Sequence, residues 1–306
     1  MAEVVAAIDC GSNSTRLLVV RGAEVVAREV AITRLSEGVD ASGTLRERAI
    51  VRTLAVLERY RAICDGAGVK RGLLVATSAV RDAVNGAQFL ERARAVSDLD
   101  ARTLSGHEEA ALSYAGATAD LASRAGPTAI VDVGGGSTEL ALEWRGALIS
   151  YSMQLGCVRV SERALGRERV DAARVTAARR MIDEELDAAF EAAPAFARAT
   201  GDLRLVGLAG TVATLAQLDA GVKEYSRAAL HHRELSRACV QRWRDRLGDE
   251  TPQQRLAHPG MVPGREDVLV AGLFVLDAVM DRFGVDEVLF SESDILDGIV
   301  SSLTAS

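Results

Sequence analysis

The sequence lacks three features, each of which would indicate a different class of protein. Its 36 lysine and arginine residues are outnumbered by 43 acidic ones, which leaves a net charge of −7. General binding to nucleic acid or to an anionic membrane surface favours a basic protein, so we expect neither partner. No apolar run is long enough to span a membrane, and the first residues lack a basic segment followed by a long apolar one. These absences predict a cytoplasmic protein.

Cysteine is also scarce. Cys10, Cys64, Cys157 and Cys239 are scattered, with no C-x-x-C pair and no histidine at ligand spacing. We interpret them as reduced, mostly buried thiols and expect no structural zinc site. The remaining composition, with 48% hydrophobic and 26% charged residues over 306 positions, is typical of a soluble globular protein of about two domains.

The most distinctive stretch is IVDVGGGSTEL, from Ile130 to Leu140. Two apolar runs flank three consecutive glycines, and this pattern predicts a β-hairpin. Successive glycines let the chain turn with positive φ and bring backbone N–H groups close to a bound oxyanion. Asp132 cannot itself bind phosphate, but its carboxylate at the strand end can hold a hydrated metal ion or orient a water molecule.

A related string, IDCGSNSTRL, lies near the N-terminus. A shift that pairs Asp9 with Asp132 also pairs Gly11 with Gly134. The repeat predicts two domains, at residues 1–125 and 126–306, that face each other across a cleft and each offer a hairpin to a phosphate. The linker is expected near Ser123 to Pro127, and the final helix is free to pack back on the first domain.

Charged residues elsewhere leave alternatives open. Arg16 begins the outgoing strand of the first hairpin, and alternation favours a substrate or conformational role over a surface salt bridge. In TSAVRDA, the helix that carries Arg81 is either a further anion donor or an ordinary capped helix. In SGHEEA, Ser105 and Glu108 have the spacing of a capping box. Glu109 is then left to act as a general base on water, although periodicity alone favours a solvated glutamate.

The second half of the chain carries weaker signals. In GLAGTVATLA, Thr211 is expected to cap a helix and, with Gly210, to bind phosphate at the N-terminus of that helix. Arg265 lies at the head of an apolar helix that runs to about Phe283, where its charge opposes the helix dipole and indicates a ligand or an ion pair. The neighbours His231 and His232 are expected to point apart, without an obvious metal partner.

Six motifs follow one another along nearly the whole chain: AIDCGSNSTRLLVV, ATSAVRDA, SGHEEA, IVDVGGGSTEL, GLAGTVATLA and PGREDVLVAG. Together they resemble the exopolyphosphatase/guanosine pentaphosphate phosphohydrolase family. The resemblance implies an α/β fold of the duplicated actin-like (ribonuclease H-like) type. It also implies magnesium-assisted release of terminal orthophosphate, and a site rich in oxygen ligands admits manganese as well.

The resemblance also implies residue roles by motif position. Glu109 matches the family's catalytic base, which reverses the interpretation from periodicity. Asp132 and Glu139 match acids that position metal and water, and Asp9 completes the expected metal ligands. The resemblance and the local sequence arguments together assign substrate or phosphate binding to Ser12, Asn13, Ser14, Arg16, Arg81, Gly134, Gly135, Gly136, Ser137, Gly210, Thr211 and Arg265.

The sequence departs from the family in two ways. Many members have a glycine and an arginine where this sequence has Asp294 and Asp297, and long members carry extra helical domains beyond the position of Ser306. Both differences reduce the attraction for a long polyanion, so we expect a preference for short polyphosphate.

The same cleft would serve two other reactions. It could hydrolyse guanosine pentaphosphate at its 5′-γ-phosphate or, as in related sugar or carboxylate kinases, transfer phosphate to a small acceptor. The motif order and Glu109 argue against a kinase. A non-catalytic sensor that binds polyphosphate or alarmone is the alternative outside the enzymes, and the intact acids argue against it. Exposed strand edges would permit a homodimer.

Overall fold

The chain is organised as two compact units. The computed structural model describes residues 2–122 and 126–305, so the predicted linker near Ser123 to Pro127 falls largely outside them. The first unit contains the chain up to Ala119 and again from Ser293 onward, and the second contains Asp120 to Glu292. In the described parts of the chain, no helix is both long and apolar enough to cross a membrane. That the units face each other across a cleft stays a prediction.

The first unit begins with a three-stranded meander and continues with helices that alternate with parallel strands. Its elements are β1 Val4–Cys10, β2 Ser14–Arg21, β3 Glu24–Ile32, α1 Val39–Ser42, α2 Glu47–Ala67, β4 Arg71–Ala76, α3 Ser78–Arg81, α4 Gly86–Ser97, β5 Asp100–Thr103 and α5 Gly106–Thr118.

The second unit repeats this plan with longer insertions, and the chain then ends in one more helix. The elements are β6 Thr128–Val133, β7 Thr138–Trp144, β8 Ala147–Met153, α6 Cys157–Val160, a π-helical turn at Ser161–Leu165, α7 Ala172–Ala192, α8 Ala195–Ala199, β9 Arg204–Leu208, α9 Ala209–Ala220, α10 Arg227–Leu230, β10 Glu234–Ser236, α11 Arg237–Gly248, α12 Pro252–Leu256, α13 Leu269–Phe283, β11 Glu287–Phe290 and, last, α14 Ile295–Thr304.

The two sheets share one strand order. The first runs β3-β2-β1-β4-β5, and the second runs β8-β7-β6-β9-β11 with β10 added at its edge. In each sheet the first three strands are antiparallel, and the next two are parallel to the first. This shared topology confirms the predicted duplication and the actin-like α/β fold.

Strand β1 lies at the centre of the first unit, and all its residues are buried. Successive side chains of a strand point to opposite faces, so a strand covered on both faces is mainly apolar, as β1 is from Val4 to Ile8. Ala6 and Ile8 pack in a cluster with side chains of α2 and α4. Val5 and Ala7 pack in a second cluster, which includes side chains of α14.

The burial of α14 explains why the final segment belongs to the first unit. Ile295, Leu296 and Ile299 are almost fully buried in the cluster on the second face of β1. Helices α14 and α5 approach closely through two glycines. A Cβ at Gly116 would overlap the carbonyl oxygen of Asp294, and a Cβ at Gly298 would overlap that of Leu112.

We expect Gly116→Ala to lower the free energy of unfolding by about 1–3 kcal/mol, because the added methyl group must push α14 away from α5. Gly66→Ala is the matched control. Gly66 also lies in a helix, and a Cβ added there would have no neighbouring atom within 4 Å, so the change should stabilise the protein by about 0.5–1 kcal/mol. Urea unfolding of both variants measures the difference, and equal stabilisation by both would contradict the close packing of α5 on α14.

Candidate active site

Each unit has a short glycine loop in its first hairpin. Loop 1 (residues 11–13) joins β1 to β2, and loop 2 (residues 134–137) joins β6 to β7. A Cβ at Gly11 would lie 3.0 Å from the Ser14 carbonyl oxygen, and one at Gly134 would lie 2.9 Å from that of Ser137. The positive φ expected of the successive glycines is not found at Gly134, Gly135 or Gly136. At Gly134, glycine is needed for room rather than for a left-handed backbone.

The carbonyl oxygens of loop 2 are held from behind by the start of α6. The hydrogen bonds run from Cys157 N to Gly134 O (2.9 Å), from Val158 N to Gly135 O (2.9 Å) and from Arg159 Nε to Gly136 O (2.8 Å). In a trans peptide the C=O and N–H groups point in opposite directions. The N–H groups of Gly135, Gly136 and Ser137 therefore point away from α6, as in a backbone nest that binds an anion.

Loop 1 is held in the same way by the segment that follows β3. The carbonyl oxygen of Ser12 accepts from Ser36 N at 2.9 Å, and that of Asn13 accepts from the backbone N–H groups of Thr33 and Arg34. The N–H groups of Asn13 and Ser14 therefore point away from this segment. The Asn13 Nδ2 group is buried and has no hydrogen-bond partner among the described residues. A buried amide donor without a partner indicates a site for an acceptor that binds from outside the chain.

Charged side chains flank both loops, in pairs that face each other across each hairpin. Asp132 lies opposite Glu139, and Asp9 lies opposite Arg16. All three carboxylates are buried, and the Ser152 hydroxyl donates to Glu139 Oε1 at 2.7 Å. Carboxylate oxygens are the hard ligands that Mg²⁺ prefers, so the Asp132–Glu139 pair fits a divalent cation.

Asp9 adds a second indication of a cation. Its Oδ1 atom is buried without a hydrogen-bond partner in the described structure, while Oδ2 accepts from Arg16 Nη2 at 2.7 Å. Burial raises the pKa of the Asp9 carboxyl above its ordinary value, and the Arg16 guanidinium opposes that rise. The charged form is therefore desolvated on one oxygen, which a bound cation would relieve.

The two acids that depart from the family pattern make specific contacts. Asp294 caps the N-terminus of α14 and pairs with Arg16 Nη1. Asp297 completes the capping box and pairs with Arg28 at 2.7 Å. Both residues therefore cap a helix and form ion pairs within the first unit, and they also contribute negative charge there.

The capping box predicted for Ser105 and Glu108 is confirmed, whereas the role of Glu109 as a base stays a prediction. The Ser105 hydroxyl accepts from Glu108 N at 3.2 Å, and the Glu108 carboxylate accepts from Ser105 N at 2.9 Å. Glu109, the next residue, is only 8% exposed. Its Oε2 lies 3.2 Å from Arg81 Nη1, which also donates to the Leu104 carbonyl oxygen. Arg81 is thus no ordinary surface arginine, because it holds the buried carboxylate of Glu109.

In the second unit, Arg265 lies against the start of α9. A Cβ at Gly210 would overlap the Arg265 guanidinium, so a larger residue there would force that side chain to move. The preceding Ala209 has φ +62°, a left-handed conformation that costs about 1–2 kcal/mol and is typical of functional sites. The prediction that Thr211 caps α9 was wrong. It lies inside the first turn, with its hydroxyl 3.4 Å from the Val133 carbonyl oxygen.

The prediction that His231 and His232 point apart was also wrong. They lie in the turn after α10, where the left-handed backbone of His232 lets the two rings stack with their centroids 3.8 Å apart. Asp120 lies within 3.4 Å of both Nε2 atoms, so the three residues form a candidate metal cluster. His231 Nδ1, however, accepts from Glu292 N at 3.0 Å. Its proton is then on Nε2 and faces Asp120, which favours a histidine–aspartate hydrogen bond over a metal.

Comparisons with known proteins agree with this geometry. Residues 12–306 match the model of the Ppx/GppA phosphatase family. The chain belongs to the Ppx/GppA phosphatase family. The prediction of an enzyme of this kind is thereby confirmed.

Relatives of this Ppx/GppA protein cover nearly its full length. Exopolyphosphatase 2 of Mycobacterium tuberculosis is 39% identical over 98% of both chains. The crystal structure of an exopolyphosphatase-like protein superposes with a TM-score of 0.90 at 29% identity over 99% of both chains. The Aquifex aeolicus Ppx/GppA family member superposes with a TM-score of 0.79 at 25% identity, covering 99% of this chain and 98% of its own.

Sequence reasoning missed two supports of the candidate site in this Ppx/GppA protein. Ser78 binds Ser12 through a 2.9 Å hydrogen bond between buried hydroxyls. Gly156 lies directly behind loop 2, where a Cβ would overlap the Gly135 carbonyl oxygen. The lone glycine before Cys157 was visible in the sequence, but its partner lies in a loop distant along the chain, so no local pattern reveals the contact.

The capping box predicts a pH dependence of stability. The backbone hydrogen bond from Ser105, followed by the contacts with Arg102 and the Ser105 hydroxyl, lowers the pKa of Glu108 from 4.5 to about 2. A carboxyl with a lowered folded-state pKa contributes stability above its unfolded value and loses it as the pH falls towards the folded one. We therefore expect Glu108→Gln to be less stable than the unchanged protein at neutral pH, with the gap closing as the pH falls from about 4.5 to about 2. Urea unfolding over this range measures it, and a gap that widens on acidification would contradict the assignment.

Proposed function

We propose that this protein is an exopolyphosphatase that hydrolyses the terminal phosphoanhydride bond of inorganic polyphosphate and releases orthophosphate. The observation that carries the proposal is the 39% identity, over 98% of both chains, with a protein named Exopolyphosphatase 2. The two nests and the buried acids supply the chemistry that such a reaction needs.

Loops 1 and 2 bind phosphate oxygens through their outward backbone N–H groups. The hydroxyls of Ser12, Ser14 and Ser137 and the amide of Asn13 are the side-chain donors in or beside these loops. Arg265 adds positive charge beside the start of α9. These local donors are needed because the net charge of −7 repels a polyanion from the rest of the surface.

Glu109 is the general base that accepts a proton from the attacking water. Its position after the capping residue Glu108 keeps it near the positive end of the α5 dipole, which stabilises its charged form. Arg81 holds the Glu109 carboxylate by an ion pair, and Arg81 is itself held by a hydrogen bond that it donates to the Leu104 carbonyl oxygen. Water then attacks the terminal phosphorus in line, the bond from that phosphorus to the bridging oxygen breaks, and the shortened chain leaves as an anion.

Asp9, Asp132 and Glu139 are the proposed ligands of a divalent cation. Mg²⁺, or Mn²⁺ in its place, would neutralise charge on the phosphate oxygens when bound. Support comes from the buried, unpartnered Asp9 Oδ1 and from the Asp132–Glu139 pair across the second hairpin.

The proposal includes a preference for short polyphosphate. Long chains gain affinity only from cationic surface beyond the terminal site, and a protein of net charge −7 offers little of it. Guanosine pentaphosphate ends in the same phosphoanhydride, so it remains the alternative substrate. A homodimer stays a prediction.

Glu109→Gln should lower the turnover number by about 10²–10⁴-fold, because the amide keeps the size of the side chain and cannot accept the proton. Glu108→Gln is the matched control. It changes the neighbouring residue in the same way, and the exposed capping residue should leave turnover within about twofold of the unchanged protein. Orthophosphate release under saturating Mg²⁺ and polyphosphate measures both.

Near-normal turnover in Glu109→Gln would remove Glu109 as the base. Equal loss in both variants would mean that the first turn of α5 matters for its structure alone. Thermal melts of both proteins separate these results from simple unfolding.

The substrate assignment is tested by orthophosphate release from short polyphosphate, long polyphosphate and guanosine pentaphosphate, measured side by side with Mg²⁺. We expect the highest kcat/KM on the short chains, for the electrostatic reason given above. Release from the nucleotide alone would establish the alarmone phosphohydrolase instead. Tight binding without release from any substrate would contradict an enzymatic role and favour a sensor.

A further inference from the structure

The duplicated hairpins differ at one charged position. Glu139 lies across from Asp132 in the second unit, and Arg16 lies across from Asp9 in the first. The second hairpin therefore carries two acids, whereas Asp9 and Arg16 alone would carry no net charge. Cation affinity depends strongly on the number of charged oxygen ligands, so the first hairpin by itself is a poor place for Mg²⁺.

Asp294 changes this balance. Its Oδ2 pairs with Arg16 Nη1, while Arg16 Nε and Nη2 both donate to Asp9 Oδ2, at 3.1 and 2.7 Å. The side chains of Arg16, Asp9 and Asp294 are 15%, 4% and 8% exposed, so water screens these charges weakly. The three residues together carry one negative charge.

The geometry of Arg16, Asp9 and Asp294 leaves one carboxylate oxygen of Asp9 available. Both guanidinium hydrogen bonds to Asp9 go to Oδ2, and Oδ1 is buried without a hydrogen-bond partner among the described residues. A guanidinium held at both ends cannot rotate to cover that oxygen. Asp294 therefore fixes Arg16, and Arg16 fixes the direction of the Asp9 carboxylate.

Asp294 is itself held firmly. Its Oδ1 accepts from Leu296 N at 2.9 Å and its N–H donates to Asp297 Oδ2 at 3.0 Å, which is the capping box of α14. Its carbonyl oxygen lies against Gly116 of α5, where no side chain would fit. The carboxylate is thus placed by two packed helices rather than by a free side chain.

We propose that Asp294 is a positioning residue that tunes divalent-cation binding at Asp9, by restoring the negative charge that Arg16 cancels and by locking Arg16 away from Asp9 Oδ1. The inference rests on the proposed role of Asp9 as a metal ligand. Groups that hold a metal ligand in place typically change metal affinity about 10–100-fold when they are removed.

Three variants separate charge from helix capping. Asp294→Asn keeps the shape and removes the charge, and Asp294→Ser also removes the charge but leaves a residue that caps helices well. Asp297→Asn is the matched control, since it removes one charge from the same helix turn and its carboxylate pairs with Arg28 rather than Arg16. Asp9→Asn tests the metal ligand itself.

The readout is Mn²⁺ binding to the substrate-free protein by calorimetry, alongside thermal melts and the Mg²⁺ dependence of orthophosphate release. We expect both Asp294 variants to raise the Mn²⁺ dissociation constant about tenfold, while Asp297→Asn changes it less than about twofold. The Mg²⁺ concentration for half-maximal activity should rise in parallel.

Unchanged Mn²⁺ affinity in both Asp294 variants would overturn the inference, as would weaker binding in Asp294→Ser alone, which would show that charge is not the cause. An equal loss in Asp297→Asn would reduce the effect to general electrostatics and would also overturn it. If Asp9→Asn binds Mn²⁺ as tightly as the unchanged protein, the proposed metal role of Asp9 fails, and this result is distinct from a failure at Asp294 alone.

Discussion

The proposed phosphate site depends on the planarity of a few peptide groups. A peptide whose carbonyl oxygen is held by a hydrogen bond on one side must point the following N–H group to the other. In loop 2 the start of α6 supplies this hold, and in loop 1 the segment after β3 supplies it. The donors cannot turn back towards the protein, so they are in place before an anion arrives. Such pre-organisation is the main way in which proteins stabilise phosphoryl groups.

The two units share one backbone arrangement around their hairpin loops but differ in the side chains that surround it. The close approach of Gly11 to Ser14 and of Gly134 to Ser137 is nearly the same in both units. The side chains around it are not. One hairpin keeps a pair of acids, whereas the other places an arginine opposite Asp9 and takes its second acid from the C-terminal helix. That helix is buried on the same sheet as β1, so the core of the first unit and its candidate site share one element.

Much of this was predictable from sequence because the signals were local. The hairpins follow from apolar runs around glycine, and the capping role of Glu108 follows from the spacing of a capping box. The contact of Asp294 with Arg16 was not predictable, since the two residues are brought together only by the packing of the chain's last helix on its first strands. The histidine pair failed for a different reason. The prediction assumed that both histidines lie in a regular helix or strand, whereas His232 has a left-handed backbone.

The proposed activity depends on attack of water at the terminal phosphorus of a polyphosphate chain. The most direct test is hydrolysis of short polyphosphate in ¹⁸O-labelled water, followed by mass spectrometry of both products. We expect one labelled oxygen in each released orthophosphate and none in the shortened chain. Label at the end of the shortened chain, or unlabelled orthophosphate as the first product, would contradict it.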